Sequence, residues 1–197
     1  MMIPMKKFLA IIVLSLCFIT PSQADDIRDF QIESISIGDS LLDYLSKKEI
    51  LSGKQNYYKS DEFIPVYIDN YKNLSTYEGL QFHYKKGDQK YKIVALEGVL
   101  FFSDKSQISK CHKKQNEIYN EIKTMFPKYK IQTYQGKHPQ DSTGKSTYKR
   151  LIYEIKNDYI ISIDCYDWHK KMGYPKNLRV SIMTANFQDW ANTKGFK

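Results

Sequence analysis

Several stretches of the chain alternate apolar and polar residues, which is the pattern of strands with one buried face. In residues 79–86 the apolar side chains Leu80, Phe82 and Tyr84 are separated by polar ones. A Lys-Gly-Asp turn connects this run to residues 91–102, so the two predict an antiparallel hairpin. Further strands are predicted at residues 32–37, 63–68, 129–134, 147–156, 159–166 and 178–187.

The residues between these runs contain a different period. Over residues 106–126, one set of positions recurs at steps of three and four, which predicts an amphipathic helix that Pro127 ends. Only Gln115 interrupts its apolar stripe, which consists of Ile108, Cys111, Gln115, Ile118, Ile122 and Met125. A single stripe of this length packs on a sheet more often than it forms a coiled coil. The predicted fold class is therefore α+β, a mostly antiparallel sheet with one long amphipathic helix packed on a face, in a two-layer sandwich.

Two details of the predicted strands concern the backbone. Pro65 cannot donate to a neighbouring strand, so residues 63–68 are expected at a sheet edge or at a bulge. Gly98 lies inside the second strand of the hairpin, where it indicates a bulge or a close approach of another chain segment. A polar loop is expected over residues 135–146.

The first 24 residues have the layout of a secretory signal peptide. Lys6 and Lys7 precede an uncharged apolar stretch over residues 8–20, and small residues, Ser22 and Ala24, follow at the positions that signal peptidase requires. The apolar stretch is shorter than the ~20 residues of a membrane span. We therefore expect cleavage after Ala24, a single periplasmic α+β domain over residues 25–197, and no stable membrane span after cleavage.

Two cysteines remain in the predicted mature chain. Cys111 falls on the apolar stripe of the helix, and Cys165 is in phase with Ile161 and Ile163 on a predicted strand. If that face of the strand looks at the helix, the two sulfurs meet between helix and sheet. Together with His112 and His169 they could instead form a zinc site, or they could be free thiols. The spacing lacks a recognisable zinc motif, and in an oxidising compartment a disulfide is the simpler pairing.

The charge of the chain does not indicate a nucleic-acid partner. The net charge is +8, from 30 basic and 22 acidic residues, but 27 of the basic residues are lysines and only three are arginines. Arginine is the residue that reads phosphates and bases with two parallel hydrogen bonds, and proteins that bind nucleic acid use it heavily. We therefore expect a solvated basic surface and no nucleic-acid partner.

The acidic residues give a weaker indication of catalysis. Paired carboxylates hydrolyse glycosides when they are held at a defined separation, and Glu154, Asp164 and Asp167 lie near one another in sequence. A hydrolase acting on glycan or peptide would use some of Asp164, Asp167, Asp141 and His138. Nothing in their spacing enforces a site, so no catalytic residue, cofactor or metal is assigned.

The segment Ser142-Thr-Gly-Lys-Ser146 has the composition of a phosphate-binding loop. That motif requires a glycine where Pro139 stands, so we expect a solvent-exposed loop. A small anion site formed by its backbone amides is the remaining alternative.

Tyrosine is abundant, with 16 residues. Because tyrosine combines an apolar ring with a polar tip, a surface lined by Tyr57, Tyr58, Tyr71 and Tyr77 would suit a binding face. With export, an ordinary core and no catalytic constellation, the leading hypothesis is a non-enzymatic domain that binds a protein partner or an envelope polymer. The alternative is the periplasmic hydrolase.

Short motifs add a family resemblance. They are Ser36-Ile-Gly-Asp-Ser-Leu-Leu-Asp43, Leu96-Glu-Gly98, Cys111 with Lys114-Gln115, His138-Pro139 and Cys165-Tyr-Asp-Trp168. In these the mature chain resembles uncharacterised secreted single-domain proteins of marine bacteria, which implies export and one domain and brings no activity or site. The start of the first motif is also similar to the first helix of small envelope-assembly lipoproteins, but Leu16 before Cys17 departs from their lipid anchor.

Overall fold

A computed structural model describes residues 27–72, 74–102, 108–156 and 158–196. The predicted signal peptide lies outside the described residues. The strands are β1 (Gln31–Ile32), β2 (Ile35–Ser36), β3 (Phe63–Ile68), β4 (Gly79–Lys85), β5 (Ile93–Phe102), β6 (Ile131–Lys137), β7 (Thr147–Ile155), β8 (Tyr159–Asp167) and β9 (Lys176–Thr184). The helices are α1 (Lys47–Ser52), α2 (Ile108–Met125) and α3 (Ala185–Trp190), with short turns at Ile27–Asp29, Leu41–Asp43, Lys170–Met172 and Ala191–Gly195.

The fold is α+β, as predicted, and its main sheet has seven antiparallel strands in the order β3-β4-β5-β9-β8-β7-β6. Two meanders, β3-β4-β5 and β6-β7-β8, stand side by side. The last strand, β9, lies between them and pairs with β5 on one side and β8 on the other. The strand that comes last in the sequence therefore joins the two halves of the sheet.

The structure corrects several predicted boundaries. Residues 32–37 do not form one strand, because Glu33 and Ser34 adopt positive φ angles of 52° and 64° and turn the chain between β1 and β2. Strand β6 continues to Lys137, so the loop expected over residues 135–146 begins later. Strand β3 lies at a sheet edge, the first of the two positions expected from Pro65.

Helix α2 packs against β8 and β9. Its buried residues are Cys111, Gln115, Ile118 and Ile122. The polar exception in this stripe has a specific role, because the buried Gln115 side-chain amide donates to the backbone oxygens of Ile163 at 2.7 Å and Lys149 at 2.9 Å. These two bonds connect the helix to both β8 and β7 at a fixed height.

The sheet side that faces α2 is apolar. On β8 and β9 it carries Ile161, Ile163, Leu178 and Val180, all essentially buried. At Gly98 a Cβ atom would lie 2.6 Å from the ring of Tyr77, so this glycine permits a close approach, whereas the irregular register lies between His83 and Tyr84.

The opposite side of the sheet, which we call the polar face, is only partly covered. At one end α3 lies across it, and Phe187 and Trp190 pack there on Phe63 and Ala95. The remainder of the polar face carries charged side chains in adjacent strands. Within the described ranges, no helix is both long enough and apolar enough to cross a membrane.

Candidate functional site

A disulfide connects α2 to the centre of the sheet. The Sγ atoms of Cys111 and Cys165 lie at bonding distance, and their Cα atoms are 6.0 Å apart, within the usual range for a disulfide. Both residues are fully buried. The pairing expected from the phase of the helix and of the strand is therefore present, and these sulfurs are not available to a metal ion.

On the polar face, strand register aligns charged residues of alternating sign. Arg150 on β7 is directly opposite Asp164 on β8, and Asp164 is directly opposite Arg179 on β9. Glu97 on β5 completes the series, because its carboxylate accepts a hydrogen bond from Arg179 Nη1 at 2.5 Å. We call these four residues the ion row. They cross four neighbouring strands.

The Arg150–Asp164 pair is the more enclosed part of the ion row. Arg150 Nε lies 2.9 Å from Asp164 Oδ1, and Arg150 Nη2 lies 2.8 Å from Asp164 Oδ2. The Tyr166 hydroxyl accepts from Arg150 Nη2 at 2.8 Å and donates to Asp164 Oδ2 at 3.0 Å. The three side chains thus form a closed hydrogen-bonded triangle in which the Asp164 side chain is only 6% exposed and that of Arg150 is 37% exposed.

The protonation states follow from burial and from the neighbouring charges. Burial raises the pKa of both Asp164 and Glu97, and the adjacent guanidinium groups oppose that shift. Burial also raises the pKa of the Tyr166 hydroxyl, as does the charge of Asp164, so this hydroxyl keeps its proton and donates it to the carboxylate. For Arg150, burial acts to lower the pKa, but Asp164 and Tyr166 outweigh it and raise the pKa, so the side chain stays charged.

A row of buried charges adds little net stability to a sheet. Removing charged groups from water costs several kcal/mol per ion, and replacing a buried pair by apolar side chains is often neutral or stabilising. Perturbed and paired titratable groups concentrate at functional sites. The ion row is therefore the first candidate for function on this face.

Aromatic side chains gather beside the Arg150 end of the row. The Trp168 ring lies 4.2 Å from the ring of His138 and 5.7 Å from that of Tyr166, with which it is nearly parallel. Tyr174 lies 5.1 Å from Trp168 and is 57% exposed, while Tyr148 lies under the guanidinium of Arg150. We call this group of five rings the aromatic shelf.

The charge state of His138 decides whether the aromatic shelf adds a second positive charge beside Arg150. Burial lowers the pKa of His138, and the positive charge of Arg150 lowers it further. His138 is therefore a neutral ring at pH 7, and its Nδ1 accepts a hydrogen bond from the backbone of Gln140 at 3.3 Å. The shelf offers flat apolar rings next to a cation with hydrogen-bond donors, an arrangement suited to binding.

A second aromatic group closes the other end of the polar face. Here His83 is buried, its Nε2 lies 3.0 Å from the Tyr58 hydroxyl, and its ring packs on Phe187. Burial, with a smaller effect from Arg179, lowers the pKa of His83 to about 3, so its ring is neutral. Tyr57 projects beside it and is 42% exposed.

Only some of the residues expected for a hydrolase are brought together. His138 and Asp164 belong to the same cluster, joined through Tyr166, but Asp164 is held by Arg150. Asp167 points to the other side of the sheet, in phase with Cys165, and pairs with Lys176. Asp164 and Asp167 are three positions apart on one strand, so their side chains face opposite sides of the sheet. A catalytic pair of these two carboxylates is therefore wrong.

The other two candidate acids also fail to converge. Asp141 accepts hydrogen bonds from the backbone and hydroxyl groups of Thr143 and Ser146, which lower its pKa and hold the loop between β6 and β7. Glu154 shares the polar face, but it is opposite Ile160, four residues along β8 from Asp164. At ~3.3 Å per residue the two carboxylates are about 13 Å apart along the strand, too far for glycoside hydrolysis.

The tyrosines expected on a binding face divide into two groups. Tyr57 and Tyr58 do lie on the polar face, beside His83. Tyr71 is buried in the main core, and Tyr77 lies against Gly98 on the other side of the sheet, so these two were wrongly placed on a binding surface.

Two other features offer no site. Across the described ranges, no group of three or more His, Cys, Asp or Glu side chains is placed to hold a metal ion. A shallow, open groove of about 490 Å³ lies between the end of β5 and α2, lined by residues that include Leu100, Phe102 and Lys114. It lies away from the polar face.

The ion row was not predicted from the sequence. The available signal was phase: Arg179 is out of phase with Leu178 and Val180, and Asp164 is out of phase with Ile163 and Cys165. That signal places each charge on the polar side of its own strand. It does not place the strands side by side, because β9 joins strands that are far apart in sequence.

Comparison with protein-family models, with curated proteins and with solved structures finds no match for this chain.

Proposed function

We propose that the protein is an exported, non-enzymatic binding protein that holds an envelope glycan polymer on the polar face of its sheet. The observation that carries the proposal is the aromatic shelf next to Arg150. Sugar rings have apolar faces that stack on aromatic side chains, and their hydroxyl and acidic groups accept hydrogen bonds from a guanidinium. In this site Trp168 and Tyr174 provide the rings, and Arg150 provides the donor.

The ion row gives this site a fixed geometry. Arg150 uses Nε and Nη2 to bind Asp164 and Tyr166, which holds its planar head in one orientation and leaves Nη1 facing away from these partners within the described part of the chain. A donor that is already oriented loses little conformational entropy when a ligand binds. We assign Asp164 and Tyr166 this positioning role.

Export supports the choice of an envelope ligand. The proposed signal peptide is cleaved after Ala24 and releases the domain into the periplasm, and the Cys111–Cys165 disulfide suits an oxidising compartment. Helix α2 packs against β8 and β9 on the opposite side of the sheet and is joined to it by that bond, so the polar face is the side left for the polymer. The resemblance of short sequence motifs to those of secreted single-domain proteins also supports this location.

A hydrolase is the alternative. It would need a base or nucleophile free to act, and in the aromatic shelf His138 is connected to Asp164 through Tyr166. Because Asp164 is paired with Arg150 and His138 is a neutral ring packed among aromatic side chains, we favour binding without turnover.

The test is co-sedimentation of the exported protein with isolated cell-wall sacculi. We expect the wild-type protein to pellet with sacculi and Trp168→Ala to bind about 10-fold more weakly, which corresponds to ~1.4 kcal/mol of lost stacking. Tyr119→Ala is the matched control, because it truncates an aromatic ring on α2, on the other side of the sheet.

The outcomes separate the proposal from its rivals. Equal loss of binding in both variants, or no binding by the wild-type protein, contradicts a glycan site on the aromatic shelf. Release of soluble sugar or peptide fragments from the sacculi by the wild-type protein favours the hydrolase. Binding to an envelope protein with none to sacculi favours a protein partner.

A further inference from the structure

The two edge strands of the seven-stranded sheet, β3 and β6, differ in whether other parts of the chain cover them. At the β3 edge, residues 53–55 run alongside the strand: Tyr67 N–H donates to the oxygen of Gly53, and Gln55 N–H donates to the oxygen of Pro65, both at 2.9 Å. Pro65 also lacks a donor of its own. This edge is covered by the chain itself, a common protection against pairing with other molecules.

The β6 edge has none of this protection. Among the described residues β6 pairs only with β7, and residues 132–137 are all exposed. The strand contains no proline and no acidic residue, and its single charge is Lys137 at the end. A seven-residue edge with these properties is a template for a further strand.

The register of β6 shows which backbone groups are free. His138 N–H donates to the oxygen of Ser146 at 2.8 Å, so His138 and Ser146 are a hydrogen-bonded pair of the β6–β7 ladder. Bonded pairs alternate in an antiparallel ladder, which makes Gly136, Tyr134 and Gln132 the residues bonded to β7. The N–H and C=O groups of Ile131, Thr133, Gln135 and Lys137 therefore point outward.

We propose that β6 is a dimerisation edge, on which a second copy of this chain adds its own β6 in antiparallel orientation about a two-fold axis at Tyr134. In that register Ile131 is opposite the Lys137 of the second copy, and Thr133 is opposite Gln135. All four outward-pointing residues then form bonded pairs, for about eight backbone hydrogen bonds.

The side chains of β6 fit this self-pairing. The two Lys137 side chains lie at opposite ends of the new interface, so no like charges within the strands face each other. The two Tyr134 residues meet at the axis as a non-hydrogen-bonded pair, where side chains are closest, and Tyr134 is 45% exposed in the single chain. Cross-strand aromatic pairs are favourable at such positions.

The pairing would also unite two polar faces. Tyr134 is directly opposite Arg150 and shares its face, so both ion rows would lie on one continuous fourteen-stranded sheet. The two Arg150 residues would be three strand spacings apart, about 14 Å at ~4.8 Å per spacing. A polymer could then contact both sites at once, which raises overall affinity without a new kind of contact. The dimer itself does not depend on what the polar face binds.

The first test uses sedimentation equilibrium of the exported protein. We expect a concentration-dependent dimer for the wild-type protein and for Thr133→Ala, and a monomer for Thr133→Pro. The proline removes only an outward-pointing N–H, so the β6–β7 ladder is kept, and circular dichroism of Thr133→Pro should match that of the wild-type protein. A wild-type protein that stays monomeric up to about millimolar concentration, or a Thr133→Pro variant that dimerises as strongly, overturns the proposal.

The second test fixes the register. In the proposed dimer, cysteines introduced by Tyr134→Cys lie at the two-fold axis within disulfide range, ~4.5 Å between Cα atoms. Gln132→Cys is the matched control, because its two copies would be about 13 Å apart. We expect mild oxidation to give a covalent dimer for Tyr134→Cys and not for Gln132→Cys. Equal cross-linking of the two variants, or none of either, contradicts this register.

Discussion

Removing the bond between Cys111 and Cys165 should cost a large part of the stability of the domain. The bond links residues 54 positions apart, one on α2 and one on β8. In the chain-entropy description, a closed loop of that length restricts the unfolded chain by roughly 4 kcal/mol at room temperature. Single domains are stable by only ~5–15 kcal/mol, so the effect is easily measured.

The perturbation is the double substitution Cys111→Ala with Cys165→Ala, compared with the oxidised wild-type protein. Alanine is chosen because both positions are fully buried, and a serine hydroxyl there would add a desolvation cost of its own. For a chain of this size, a loss of ~4 kcal/mol lowers Tm by about 8–16 °C. Urea unfolding should also give a larger m-value, since an unfolded chain without the cross-link exposes more surface.

Wild-type protein reduced under denaturing conditions and refolded is the control for the size of the side chains. It keeps both sulfur atoms but lacks the bond, so it should show most of the same loss. If the reduced protein and the double variant both unfold at the Tm of the oxidised protein, the entropic argument is refuted. A loss in the variant alone would assign the effect to the missing sulfur volume.

Three further predictions concern the core, pH dependence and processing. Ile118→Asp should unfold the domain, because it places an unpaired carboxylate between the helix and the sheet. Lys114→Ala, at an exposed position of the same helix, should change the free energy of unfolding by no more than ~0.5 kcal/mol. Thermal melts of the two variants test this difference. Burial lowers the pKa of His83 to about 3, so between pH 6.5 and 3 the unfolded chain binds a proton that the folded protein does not. The free energy of unfolding should therefore fall as the pH drops from about 6.5 towards 3. In denaturation series at several pH values, His83→Gln should weaken this pH dependence, and an unchanged pH dependence would contradict the assignment. N-terminal sequencing of the exported protein should begin at Asp25, and an intact Met1 would refute cleavage.

The elements with a strong period could be predicted from sequence. The bounds of β3 were predicted as found from a short, uniformly apolar run, and those of β4 were predicted within one residue from the alternation of apolar and polar residues. The phase of Cys111 and of Cys165 also gave their pairing, since each phase specifies the direction of one side chain. Gln115 looked like an interruption of the helix stripe because its two backbone acceptors come from strands that only the folded chain brings near.

The candidate site could not be predicted in the same way. Arg150 and Asp164 belong to one hairpin, and their pairing depends on a register that the alternation of apolar and polar residues alone does not specify. Glu97 and Arg179 are 82 residues apart and meet because β9 enters between two meanders. Local pattern gives the face on which a side chain lies, whereas the neighbour on that face depends on strand order, a property of the whole chain.

The most direct test of a ligand on the polar face uses the two tryptophans as separate reporters. Trp168 belongs to the aromatic shelf, and Trp190, the last residue of α3, is buried at the other end of the face. Soluble glycan strands released from sacculi are titrated into Trp190→Phe, in which only Trp168 emits, and into Trp168→Phe, in which only Trp190 emits. We predict a saturable change in emission for Trp190→Phe and none for Trp168→Phe. A change confined to Trp168→Phe, or no change in either while the wild-type protein still binds sacculi, would place the ligand elsewhere and contradict the account.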